Sequence, residues 1–114
     1  MGFLPDDALQ LDLEESTVDF YEFHKENVKY YYFDSSESTP PHPMVNAILG
    51  LKLLDKNSRL IMINHQIPNA LLTRVGNDFE IDILPLDNGK IKLEFSFKEG
   101  ASQTAELKNT CGGC

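Results

Sequence analysis

Asp34-Ser-Ser-Glu-Ser-Thr-Pro-Pro-His-Pro-Met44 is the stretch on which the fold turns. Pro40, Pro41 and Pro43 fix φ and remove backbone donors, so they cannot lie inside a helix or a central strand, whereas the first turn of a helix accepts them. Immediately upstream, Val28, Tyr30, Tyr31, Tyr32 and Phe33 are strand-formers, and a strand is expected over residues 28–34. Downstream, Met44, Ile48 and Leu51 share one helical stripe, widened by Val45, Leu49 and Leu54. That spacing predicts a core-facing helix over residues 43–56 with Asn46, Lys52 and Asp55 on its outer side. The stretch is therefore a rigid strand-to-helix junction.

Beyond that helix, Leu60-Ile61-Met62-Ile63 is an unbroken apolar run with two β-branched residues, as a central strand requires. Asn64-His65-Gln66-Ile67-Pro68 breaks it and opens a short helix over 69–75, which Gly76 is expected to end in a left-handed conformation. Phe79, Ile81 and Ile83 then alternate with acids, and Ile91, Leu93, Phe95 and Phe97 alternate with polar residues. Asp87-Asn88-Gly89 between them signals a tight hairpin. Pro85 cannot donate to a ladder, which puts its strand at an edge or a bulge. The strands over 28–34 and 60–63, joined by a helix, should run parallel and open their carboxyl ends on one edge of the sheet. That edge would receive the loops 35–43 and 64–68.

The amino-terminal part reads differently. Ser16 and Asp19 suggest a helix cap and an acidic first turn, predicting a short helix over residues 17–27, while Leu9, Leu11 and Leu13 suggest a short strand or an extended arm. Residues 1–27 are thus expected to be an acidic extension, 28–98 the folded domain, and 99–114 a flexible tail. The resulting architecture is an α+β two-layer sandwich of order β-α-β-α-β-β. Its mixed four-stranded sheet would carry two helices on one face, with the extension added.

The chain has 114 residues and a formal charge of −8. Residues 1–38 hold ten acids against Lys25 and Lys29, so the first third carries the whole imbalance. An acidic surface repels phosphate backbones and disfavours nucleic acid as a partner. No apolar run reaches a membrane span, and the opening residues carry neither a signal-peptide core nor a myristoylation pattern. A cytoplasmic protein that engages no membrane is expected.

Both cysteines lie in Cys111-Gly-Gly-Cys114. Three readings stand side by side: a redox dithiol or sulfur-relay arm, half of a metal site, and a terminus without a role. His42 and His65, on the two loops at one sheet edge, would complete a four-ligand set with Cys111 and Cys114 for zinc or iron. Equally, His42 is a solvated residue of a rigid loop and His65 a turn residue bonded to the backbone. No Ser-His-Asp grouping, phosphate-cradling loop or dinucleotide fingerprint occurs in the sequence.

Asp34, the X-Pro-X-Pro spacing of Pro40, Pro41, His42 and Pro43, and Met44 opening the helix resemble the signature of the TusA/SirA superfamily of small sulfur carriers over roughly residues 28–98. More narrowly, Pro-Pro-His-Pro-Met together with Asn64-His65-Gln66-Ile67-Pro68 and Leu71-Leu72 is similar to a branch of uncharacterised domains that lack the family cysteine. In the carriers that cysteine stands where this chain has Pro40 and holds a persulfide at the helix N-terminus, where the dipole favours a thiolate. Pro40 has no thiol. The resemblance, combined with thiols placed at a flexible end, implies a non-catalytic carrier or adaptor in sulfur transfer or thiol redox, docking to a protein partner through the prolyl junction and the acidic segment and using the terminal thiols. A metal-binding module and an interaction domain without chemistry are the alternatives.

Overall fold

A computed structural model describes residues 7–39 and 42–98. The chain forms β1 (Leu9–Leu11), β2 (Phe20–Lys25), β3 (Val28–Asp34), α1 (His42–Leu51), β4 (Ser58–Asn64), α2 (Asn69–Val75), β5 (Phe79–Pro85) and β6 (Ile91–Phe97). One mixed sheet of six strands runs in the order β1-β2-β3-β4-β6-β5. Only β3 and β4 are parallel; every other neighbouring pair is antiparallel. The expected four-stranded sheet of order β-α-β-α-β-β is thereby corrected: the order is β-β-β-α-β-α-β-β.

The difference comes from the segment read as a helix over 17–27. Phe20-Tyr-Glu-Phe-His-Lys25 is a strand, paired residue for residue with β3 from Phe20↔Phe33 to Lys25↔Val28. Glu26 and Asn27 both have positive φ, 54° and 69°, the paired left-handed conformation of a two-residue hairpin turn whose twist matches its strands. Ser16, which looked like a helix cap, instead closes a turn: its N–H and its hydroxyl both donate to the Leu13 carbonyl, at 3.2 and 2.8 Å. Four aromatics of the hairpin stack across the strands, Phe20 on Phe33 at 4.8 Å and Phe23 on Tyr30 at 5.2 Å. Such cross-strand pairs favour a sheet over a short isolated helix.

Both helices cover one face. Phe20, Phe33, Leu60, Met62, Leu93 and Phe95 from the sheet pack with Ala47, Leu51, Leu71 and Val75 from the helices in the main core. The fully buried residues of α1 are Pro43, Asn46, Ala47, Gly50 and Leu51; of the expected stripe Leu51 is among them, Met44 and Ile48 pack on the core half-buried, and Val45 is 42% exposed. Small residues face inward because the helix lies close to the sheet. A Cβ on Gly50 would meet Leu60 Cδ1 at 2.9 Å and Phe20 Cε2 at 3.1 Å. The helix also stops at Leu51 rather than Lys56, and Gly76 after α2 is right-handed (φ −64°), its N–H bonded to the Leu72 carbonyl.

The opposite face carries a smaller cluster of Phe23, Tyr32, Ile61 and Ile63, flanked by Tyr21, Tyr30, Ala8 and Leu86. Burial among these groups, with Asp34 and Tyr21 adding to it, pushes the Tyr32 phenol up to about 12. The hairpin between β5 and β6 turns at Asp87-Asn88-Gly89, where Gly89 takes φ +87° and the Lys90 N–H donates to Asn88 Oδ1 at 2.9 Å. Among the described residues no helix is long and apolar enough to cross a membrane.

Candidate functional site at the carboxyl edge

Parallel pairing of β3 with β4, in the register Asp34↔Ile63, brings their carboxyl ends to one edge. A buried polar suture holds the loops there. Ser35, fully buried, donates its N–H to the Ile63 carbonyl at 2.7 Å, and its hydroxyl lies 3.0 Å from that same oxygen and 2.9 Å from Asn64 Oδ1. One hydroxyl proton serves these two acceptors in turn. Asn64, only 2% exposed, passes the constraint onward by donating Nδ2–H to the Gln66 carbonyl at 2.8 Å. The two loops are thus tied together beneath the surface, which sets where the side chains above them stand.

Asp34 ends β3 as an exposed residue, and its Oδ1 accepts the Ser36 N–H at 2.8 Å, a side-chain turn that bends the chain out of the strand. The Ser38 N–H to Ser35 carbonyl bond, 2.9 Å, completes that bend. His42 is the first residue of α1, exposed, with its backbone N–H donated to Thr39 O at 2.9 Å. Pro43 is buried in the first turn, where a missing N–H costs nothing, and half-buried Met44 packs on the core. His65 is exposed in the bend after β4. Pro40, Pro41, Cys111 and Cys114 lie outside the described residues.

The structure therefore brings Asp34, His42 and the His65 loop to the same edge of the sheet. Among the described residues, no group of three or more His, Cys, Asp or Glu is gathered closely enough to hold a metal ion. The zinc or iron site built from His42, His65, Cys111 and Cys114 depends on the two cysteines beyond that range.

Several residues escaped the sequence reading. Ser35 and Asn64 flank the strands as ordinary turn-formers, and only the parallel pairing reveals that they meet. The Ser36 hydroxyl, in the loop after β3, is buried with no hydrogen-bond partner among the described residues. Asn46, expected on the outer side of α1, is fully buried. It accepts the Thr17 N–H at Oδ1 and donates Nδ2–H to Thr17 Oγ1, both at 2.9 Å, so it clamps the β1–β2 loop onto the helix. Its spacing with Pro43, Ala47 and Gly50 was the available signal, because i, i+3, i+4 and i+7 share a face.

Ion pairs lie on both faces of the sheet, toward the amino ends of β3 and β4: the Arg59 pair on the open face, the Lys29 pair on the helix-covered face. Arg59 pairs with Glu94 at 2.9 Å, and that hydrogen bond raises the Arg59 pKa further. Glu22 likewise pairs with Lys29 at 2.8 Å, with the ammonium 5.2 Å above the Tyr31 ring centre. No protein-family model, curated protein or solved structure matches the chain, so the reading of this edge rests on its own residues.

Proposed function

We propose that the protein is a small non-catalytic carrier or adaptor in sulfur transfer or thiol redox, resembling the TusA/SirA carriers in its junction residues but not in the position of its thiols. The observation that supports this reading is the rigid edge on which Asp34, His42 and the His65 loop stand, tied by Ser35 and Asn64. A sutured, solvent-facing corner suits docking of a partner protein, because little ordering is left to be lost on binding.

The chemistry falls to Cys111 and Cys114. The Cys114 thiolate attacks the outer sulfur of a donor persulfide; that S–S bond breaks, the donor leaves as a thiolate, and Cys114 carries the persulfide. The Cys111 thiolate then attacks Cys114 Sγ and expels hydrosulfide. The transferred sulfur leaves reduced, and the two cysteines remain as a disulfide.

Intact mass spectrometry of the full chain after incubation with glutathione persulfide tests this. The expected result is a gain of one sulfur that Cys114→Ser abolishes and Cys111→Ser prolongs, since the resolving thiol is gone. No sulfur gain in the unmodified chain, or an undiminished gain in Cys114→Ser, would refute the proposal.

A further inference from the structure

We propose that the free edge of β5 is a docking strand for an extended segment of a partner protein in which basic and apolar residues alternate. β5 is the terminal strand of the sheet, seven residues long, whereas β1 at the other end has three. Two bonds flank the β5–β6 ladder, Leu86 N–H to Lys90 O at 2.8 Å and Lys98 N–H to Asp78 O at 3.1 Å. Antiparallel alternation then turns the backbone groups of residues 80, 82 and 84 toward β6 and those of Phe79, Ile81 and Ile83 outward. Pro85 falls in the outward set, where its missing N–H breaks no ladder bond. Among the described residues no strand pairs with this row of donors and acceptors, the requirement for adding a strand.

The side chains specify the occupant. Glu80 and Asp82 are exposed on the face opposite the helices, and Asp82 sits across from Glu94, already engaged by Arg59. On the helix-side face, Ile83 is 41% exposed, next to half-buried Ile81. An incoming strand thus meets two carboxylates on one face and an aliphatic shelf on the other. A second copy of the chain is a poor occupant: antiparallel pairing of two β5 edges about Ile81 sets Glu80 against Asp82 twice, and like charges directly opposite destabilise a sheet. Lysine or arginine at alternate positions answers the same carboxylates.

The experiment is a titration of the full ¹⁵N-labelled chain with an acetylated, amidated peptide of three Lys-Val repeats, with three Glu-Val repeats as comparison. The expected result is shifts concentrated at the amides of Phe79, Ile81 and Ile83, weakening as salt is raised. The exposed double substitution Glu80→Lys with Asp82→Lys should lower affinity for the lysine peptide about tenfold and reverse the preference between peptides. Circular dichroism of that variant confirms that it folds. Absence of shifts, shifts centred on another element, equal binding of both peptides, or an unchanged preference in the folded variant would each overturn the proposal.

Discussion

Deletion of residues 1–27 is expected to abolish cooperative folding of the remainder. Phe20 is fully buried and stacked on Phe33, and Phe23 is 8% exposed and stacked on Tyr30. Loss of one such buried ring costs about 3–5 kcal/mol, and a small domain has about 5–15 kcal/mol in total. The deletion removes both rings together with the whole β2 ladder, and leaves β3 with an unpaired edge. Urea unfolding followed by circular dichroism should show no transition in the truncated chain where the full chain shows one. A sharp transition in residues 28–114 alone would mean that the amino-terminal strands are appended to a self-sufficient body.

Asn46→Ala is expected to destabilise the full chain by about 2–3 kcal/mol. Each net hydrogen bond contributes about 1 kcal/mol, two are lost to Thr17, and the vacated space beneath α1 adds to the cost. Asn46→Leu refills the volume without restoring the clamp. A denaturation midpoint that stays low in Asn46→Leu, with the Thr17 amide exchanging quickly in both variants, identifies the hydrogen bonds as the source. Recovery of full stability in the leucine variant would assign the effect to packing alone.

These two expectations arise where sequence and structure part company. The strand at Val28–Asp34, the strand through Leu60-Ile61-Met62-Ile63 and the Asp87-Asn88-Gly89 turn were legible because continuous apolar runs, strict alternation and an Asn-Gly pair each have one dominant structural meaning. Pro85 marked its strand for an edge or a bulge, and β5 is an edge strand. Phe20–Lys25 was opaque for a different reason. Its six residues alternate only weakly in polarity, with aromatics on both faces, so the pattern fits neither period cleanly until β3 supplies the partners. Asn46 was misplaced because a buried amide is invisible to a hydrophobic stripe, and its partner Thr17 lies 29 positions away. The carboxyl edge followed from the expected parallel pairing, but the Ser35–Asn64 suture did not, since neither residue names its partner.

Inclusion of the acidic amino-terminal segment in one sheet changes what the molecule offers a partner. Had residues 17–27 been a helix on an extension, β3 would have been an exposed edge. With β1 and β2 beyond it, β3 joins β4 in the interior, and among the described residues β5 is left as the longer of the two edge strands. The carboxyl ends of β3 and β4 then stand at the middle of the sheet, with strands on both sides.

Amide hydrogen exchange of the native full chain tests this single-sheet account most directly. Protection in the ladder of Phe20–Lys25 should match that of Val28–Asp34 and Ser58–Asn64, with all three opening together as denaturant is raised. Exchange of Phe20–Lys25 within the range of unstructured peptides, while the other two segments stay protected, would contradict it.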